Sequence, residues 1–154
     1  AYSLDPSFWG GELAVDDQLE LRMQRSGALE SASDGLRFLV LDPATIKRAL
    51  LGSPIDLAAL DPFQPQVRLS LYLNETCPTA FDRVRIPVNY ESVSGSLTFD
   101  AIYAPEVDEQ DFRISLHFEG VRLEADMRSE GHYAVIDGNM DFLFNRGRPA
   151  QRYP

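Results

Sequence analysis

Cysteine is nearly absent from this chain of 154 residues, in which Cys77 stands alone. A single cysteine forms no internal disulfide and no cysteine-based zinc site. Histidine is almost as scarce, since only His117 and His132 occur, and neither belongs to a catalytic triad or a zinc-binding pattern. We therefore expect a protein that is not an enzyme, with no metal or other cofactor.

Positive charge is also in short supply. The chain has 14 Lys and Arg residues against 24 Asp and Glu residues, which gives a formal net charge of −10 at pH 7. Phosphate groups would be repelled by most of such a surface, so nucleic acid is excluded as a partner. No apolar run approaches the length of a membrane-spanning helix, and no transmembrane segment is expected.

The length fits a single β domain over residues 1–154, in which 145–154 form a polar tail with three arginines. Lys47 is the one lysine among the basic residues, and this arginine preference indicates a bacterial source with a genome rich in G and C. The chain begins at Ala1 without Met, a start that is consistent with removal of an export signal, a lipid-bearing segment or an expression tag. We therefore expect an extracytoplasmic protein of the periplasm, envelope or cell surface.

Alternating apolar and polar residues predict strands in the first half of the chain. Apolar side chains recur at every second position in 19–23 and 67–73, as in strands with one buried face. The segment 36–41 is more continuously apolar and is expected to be covered on both faces. Asp42 as N-cap, Pro43 at the first helical position and Gly52 after the last predict one short helix near 43–51.

Glycine recurs at similar places in the second half, within "VSGSLTFDA" (93–101) and "IDGNMDFLF" (136–144). We interpret Ser94-Gly95, Glu119-Gly120 and Asp137-Gly138 as two-residue hairpin turns, because apolar residues then face one another across each turn. These registers place Tyr90 opposite Phe99, Val135 opposite Met140, and Tyr133 opposite Phe142.

The turn at Glu119-Gly120 also predicts a polar outer face. Opposite residues would be Arg113 and Asp126, Ser115 and Glu124, and His117 and Arg122. Positive φ is expected at Gly120 and Gly138. The inward positions predict a shared apolar core of eight residues: Tyr90, Phe99, Ile114, Leu116, Phe118, Leu123, Met140 and Phe142.

Eight or nine strands with one short helix predict an all-β fold, an antiparallel β-sandwich built largely from tight hairpins. A closed β-barrel is the alternative. The bulky inward residues predict an interior filled by its own side chains. Recognition would then use the 53–66 connection, the 104–111 loop and the tail.

Two acidic segments are candidates for calcium. One is the loop 105–111, where Glu106, Asp108, Glu109 and Asp111 lie close together; the other is 137–141, with oxygens at alternate positions. A solvated loop and the wet face of a strand are the simpler interpretations of the two segments, so no metal site is expected at either.

The function expected from these patterns is noncatalytic. It is a bacterial envelope or surface β domain that binds a protein or polymer partner or forms part of a larger assembly. Two alternatives stay open: a β-barrel carrier of a small apolar ligand, and a carbohydrate-active enzyme that uses paired carboxylates.

Overall fold

A computed structural model describes residues 8–13, 18–24, 34–61, 66–73, 79–81, 84–86, 88–104, 107, 113–125 and 132–143. These segments consist mostly of antiparallel strand with one short helix, which confirms the all-β prediction. Their ten strands are β1 (Phe8–Leu13), β2 (Leu19–Gln24), β3 (Gly35–Val40), β4 (Ile55–Asp56), β5 (Val67–Leu73), β6 (Thr79–Phe81), β7 (Val84–Ile86), β8 (Val88–Ala101), β9 (Arg113–Ala125) and β10 (Tyr133–Leu143).

Seven of these strands follow one another as a meander. The order across the sheet is β1-β2-β3-β5-β8-β9-β10, with β4 paired to the second half of β8, and β6 and β7 form a separate small sheet. The large sheet is not closed into a barrel. The sandwich prediction is therefore favoured over the barrel.

The core lies on one face of this sheet. Leu19, Leu21 and Met23 of β2 are buried, as are the apolar residues at alternate positions of β5. Their burial confirms both alternating strands. Seven of the eight predicted core residues of the second half are also buried, and the Phe142 side chain lies outside the described part of the structure.

The sheet curls so that its two halves face each other. Phe38 on β3 and Phe118 on β9 have ring centroids 5.6 Å apart. These strands are separated by β5 and β8, and three strand spacings in a flat sheet would measure about 14 Å. The ring contact therefore requires strong curvature, which makes one sheet act as both layers of a sandwich-like fold.

The short helix begins as the sequence predicts. Asp42 Oδ1 accepts a hydrogen bond of 2.8 Å from the Thr45 backbone N–H, and Pro43 occupies the first turn. The helix α1 (Pro43–Thr45) continues as a wider π-helical turn over Ile46–Leu50. Gly52 follows it with φ of 70°, a conformation that glycine adopts without steric cost.

The three predicted hairpin turns are wrong, because each lies inside a continuous strand. β8 runs through Ser94-Gly95, β9 through Glu119-Gly120, and β10 through Asp137-Gly138. Tyr90 consequently lies opposite Ala125 on the neighbouring strand rather than opposite Phe99.

β-Bulges explain why the sequence suggested turns. Side chains alternate between the two faces of a strand, so inward residues share either even or odd numbers. A two-residue turn and a one-residue bulge both switch the inward positions from even to odd numbers. The register between β8 and β9 shifts at Ser92/Ser94 and again at Ser94/Ser96. The change in the apolar pattern at Gly95 and Gly120 thus results from bulges within β8 and β9, and both strands continue past them.

β10 differs because its own apolar face does not change. Tyr133 and Val135, predicted to point inward, are 58% and 56% exposed, whereas Ala134 and Ile136 pack against the core. The bulge of this strand pair belongs to β9. Ile136 pairs with Val121 and Gly138 with Phe118, so β9 has one more residue than β10 between the two pairs. Gly138 accordingly has no positive φ, while Gly120 has the predicted positive value of 57°.

Gly95, Gly120 and Gly138 form a line across three neighbouring strands, which we call the glycine seam. A Cβ at Gly95 would lie 2.5 Å from Val121 Cα, and one at Gly138 would lie 2.6 Å from the Phe118 ring. Backbone and ring occupy the space of the missing side chains. The repeated glycines are therefore architectural, and they permit the bulged strands to approach closely.

Candidate functional site: an acidic groove at the glycine seam

An open groove of about 870 Å³ lies at the glycine seam. β4 and the residue before it form one part of the lining, and the bulges of β8 and β9 with the neighbouring part of β10 form the rest. We call this feature the acidic groove; its lining residues are Pro54, Asp56, Gly95, Ser96, Glu119, Gly120 and Asp137.

The pairing of β4 with β8 positions the first carboxylate. Ile55 lies opposite Leu97 and is buried, which fixes Asp56 opposite Ser96 at the groove. Asp56 Oδ1 also accepts a hydrogen bond of 2.9 Å from the Ala58 N–H, at the start of a 3-10 turn over Leu57–Ala59. Strand pairing and this backbone hydrogen bond together hold the Asp56 carboxylate in place.

The other two carboxylates come from the bulged strands. Asp137 Oδ1 accepts a hydrogen bond of 2.7 Å from the Gly120 N–H, and this bond ties β10 to the bulge of β9. Glu119 precedes Gly120, lies opposite Ser96 in the register, and is exposed. The bulge thus gathers residues from three strands.

Among the described residues, the lining contains Asp and Glu but no Lys, Arg or His. A ligand would meet three carboxylates beside the backbone of Gly95 and Gly120. Such a surface attracts cations, and the strength of that attraction depends on ionic strength because the site is open to solvent.

A salt bridge and a histidine–aspartate contact lie on the outer face of the sheet beyond the groove. Arg113 holds Asp141 with two hydrogen bonds of 3.1 and 2.7 Å, and the His117 Nδ1 lies 3.0 Å from Asp100 Oδ2. The hydrogen bonds from the Arg113 guanidinium lower the pKa of Asp141 below its ordinary value of 3.8.

Two of the predicted outer-face pairs are therefore wrong, because Ser115 lies opposite Asp141 on β10 and His117 lies opposite Asn139 there. Arg113 bonds Asp141, and Asp126 of the third predicted pair lies outside the described residues. The physical reason is again the continuing strand, which places β10, and not the second half of β9, beside the first half of β9.

The His117–Asp100 pair provides two of the three groups of a hydrolytic triad. Both side chains are about half exposed, at 44% and 51%. Within the part of the chain that the structure describes, no hydroxyl or thiol is hydrogen-bonded to the imidazole. The pair therefore has the geometry of a hydrogen-bonded surface contact.

A second polar cluster lies on the first half of the sheet, and the sequence pattern did not reveal it. Arg37 Nη2 donates to Glu20 Oε2 at 2.8 Å, and the Glu20 side chain is only 6% exposed. Burial lowers the pKa of Arg37, but hydrogen bonds and charge from Glu20 and Tyr72 outweigh burial and raise it. The available signal was an arginine inside the otherwise apolar segment 36–41.

The acidic loop residues Glu106, Asp108, Glu109 and Asp111 lie outside the described residues. In the segment 137–141, Asp137 is bonded to Gly120 and Asp141 to Arg113, so the two carboxylates serve different partners. No group of three His, Cys, Asp or Glu side chains within the described ranges is placed to hold a metal ion.

The acidic groove was foreseen only in part. The 53–66 connection was predicted as a recognition surface, and Pro54 and Asp56 of that segment do line the groove. The contributions of Glu119 and Asp137 could not be found while those residues were assigned to turns.

No protein-family model matches the chain, and no curated protein or solved structure matches it either. Among the residues described, no helix has the length and apolar character needed to span a membrane.

Proposed function

We propose that this chain is a noncatalytic, extracytoplasmic bacterial β domain that binds a protein partner, with a cationic segment of that partner lying in the acidic groove. The observation that carries the proposal is the groove lining, to which Asp56, Glu119 and Asp137 contribute and for which the described part of the chain supplies no basic side chain.

Charge favours this occupant. The chain has a net charge of −10, so a basic segment is attracted to the whole surface before it reaches the groove. Arginine suits the groove because its planar guanidinium donates two parallel hydrogen bonds to a carboxylate.

The shape of the groove also favours a polypeptide. It is open rather than enclosed, and it crosses the β9 bulge at Gly120, where nothing lies within 4 Å of the position of an added Cβ. An extended segment can approach such backbone closely and bond to it, whereas a compact small molecule would leave much of the groove in water.

A titration with a fluorescent arginine-rich peptide tests the proposal. Glu119→Gln removes a groove carboxylate, and Glu124→Gln removes the same charge from β9 outside the groove lining. We expect Glu119→Gln to weaken binding roughly fivefold and Asp56→Asn/Glu119→Gln roughly tenfold or more, with little effect of Glu124→Gln. Added salt should weaken binding by the wild-type protein.

Equal losses in Glu119→Gln and Glu124→Gln would show that only net charge attracts the peptide, and they would remove the groove from the proposal. A scrambled peptide of the same charge provides the control for sequence-independent attraction.

The same carboxylates give one observation in favour of a carbohydrate-active enzyme, since glycoside cleavage needs two acidic groups across an open cleft. A screen with polysaccharide substrates tests it. Hydrolysis by the wild-type protein that is lost in Asp56→Asn or Glu119→Gln, but kept in Glu124→Gln, would replace the binding proposal.

A further inference from the structure

β10 lies at the end of the strand order. Within the described segments it pairs with β9 alone, along residues 133–143. Large apolar side chains on its outer face are unusually exposed, at 58% for Tyr133, 56% for Val135 and 68% for Leu143. An edge strand with exposed apolar residues is a template for another strand.

We propose that two copies of this chain associate through β10, antiparallel to each other, with the two-fold axis at Gly138. The sheets of both copies would then join into one continuous sheet. A second copy suits this edge because the charges of β10 itself select one register for a symmetric pair.

Side chains that lie opposite one another across two antiparallel strands must be on the same face of the sheet. In a symmetric pair, this condition places the axis at a residue rather than between two residues. An axis at Asp137 would set that carboxylate opposite its own copy, and an axis at Asn139 would set Asp137 opposite Asp141. Like charges in these positions are destabilising.

An axis at Gly138 avoids both conflicts. Asp137 then lies opposite Asn139 of the second copy, and Val135 lies opposite Asp141 of the second copy. This register also pairs all 11 residues of β10, whereas axes farther from its centre shorten the paired length. Tyr133 would meet Leu143 of the second copy, so the most exposed apolar side chains of the strand would cover each other.

The arrangement has a consequence for the acidic groove, which Asp137 lines. A two-fold axis perpendicular to the sheet leaves the outer faces of both copies on the same side. Two grooves would then flank the axis and bind two basic segments of one partner, with a gain in avidity. This consequence rests on the proposed function, whereas the pairing itself does not.

Sedimentation velocity over a range of concentrations tests the pairing. We expect a monomer–dimer equilibrium that added salt shifts toward the dimer, because each copy has a net charge of −10 and salt screens the repulsion. Peptide binding in the groove should respond to salt in the opposite direction, so the two proposals can fail independently.

The decisive variants exchange the charges at the axis. Asn139→Asp would place two Asp–Asp contacts across the axis and should weaken the dimer roughly tenfold. The double variant Asp137→Asn/Asn139→Asp removes these contacts and should restore the wild-type equilibrium, because the amide oxygen introduced at position 137 can still accept from the Gly120 N–H. Ala59→Asp, on the exposed 3-10 turn, is the control for one added charge.

Thermal melting establishes that each variant is folded, and hydrogen exchange locates the interface. Amides of 133–142 should exchange more slowly as the wild-type concentration rises. A wild-type protein that stays monomeric up to about 1 mM would overturn the proposal. Equal dimerisation by wild type, Asn139→Asp and the double variant would overturn it as well.

Discussion

Two exposed aspartates show how single carboxylates hold local structure. Asp42 caps the short helix, and Asp141 holds the Arg113 guanidinium between β9 and β10. Hydrogen bonds from the Thr45 side chain and backbone lower the pKa of Asp42 below 3.8, as the Arg113 bonds do for Asp141. Both groups are therefore stabilising in their charged form.

Removal of the Asp42 cap should destabilise the fold in a pH-dependent way. Asp42→Ala is expected to lower the free energy of unfolding by about 1 kcal/mol at neutral pH. A lowered folded pKa means that the charged group's stabilisation is present above about pH 3.8 and is lost as the pH falls through the folded value. Urea unfolding of wild type and variant at pH 7 and below pH 4 measures the difference.

Asp42→Ser is the matched control, because a serine hydroxyl caps a helix without a charge. It should keep most of the stability at pH 7 and lose the pH dependence that Asp42 contributes. An Asp42→Ala penalty that is unchanged below pH 3 would contradict the assigned role of the charge.

Gly95 should tolerate substitution poorly, because it combines a positive φ with a crowded Cβ position. Its φ is 107°, and an added Cβ would meet backbone atoms of Gly120 and Val121 at 2.5 to 2.8 Å. Gly95→Ala is expected to cost about 2 kcal/mol or more, since strain and overpacking add. Chemical denaturation gives the value.

Gly52→Ala separates these two causes. Gly52 has φ of 70° and nothing within 4 Å of an added Cβ, so its substitution carries conformational strain alone, about 1 kcal/mol. Equal costs at the two glycines would show that the close approach of strands at the seam does not matter.

At the level of strands, the sequence revealed most of the inward apolar residues, but not those of β10 before Gly138 and not how far each strand continues. The alternation in β2 and β5 was correct because neither strand contains a bulge, and Asp42, Pro43 and Gly52 marked the helix correctly. The segment at Gly95 was misassigned because a turn and a bulge change the face in the same way. Only the partner strand distinguishes them, and partners are distant in sequence.

The acidic groove was hidden by the same ambiguity. Its lining combines residues near 55, 96, 119 and 137, which are brought together by the pairing of β4 and β9 with β8 and of β10 with β9. Local sequence patterns do not indicate which strands are neighbours at the groove. The pairing of Asp56 with Ser96 spans 40 positions, and no motif connects the two residues.

A pair of substitutions in β10 tests its face assignment. Ile136 packs against the core and Val135 is 56% exposed, whereas a turn at Asp137-Gly138 would place Val135 inward. Ile136→Thr should cost about 1 to 3 kcal/mol because it places a hydroxyl in apolar surroundings, and Val135→Thr should stay within about 0.5 kcal/mol. Thermal or urea unfolding of the two variants measures both costs. A larger cost for Val135→Thr than for Ile136→Thr would support the predicted hairpin turn instead.

For the molecule as a whole, curvature decides what the interior can hold. The large sheet has no long helix to cover its apolar face among the described residues, so its two halves cover each other. Phe38 from one half and Phe118 from the other meet in the space between them. The sequence predicted bulky inward side chains, but the distance between the halves depends on the bulges and could not be derived from it.

This contact predicts that the interior is filled, which separates a binding domain from a carrier of apolar ligands. Phe118 is 2% exposed and Phe99 is fully buried, so large rings from both β8 and β9 occupy the core. A carrier needs roughly 300 Å³ or more of empty space for a drug-sized ligand. We therefore expect no saturable binding of a fatty acid or of benzene by the wild-type monomer, measured by titration and by the shift in melting temperature.

Phe118→Ala provides the positive control, because an apolar cavity of about 150 Å³ is enough to bind benzene. The variant should be less stable by roughly 3 to 5 kcal/mol, and benzene should raise its melting temperature while leaving that of the wild type unchanged. Phe118→Leu, with a smaller loss of volume, should fall between them if Phe118→Ala is too unstable to purify. One-to-one binding of a fatty acid by the wild-type protein would instead show that the two halves of the sheet enclose a cavity, and the carrier would then replace the partner-binding domain as the function to test.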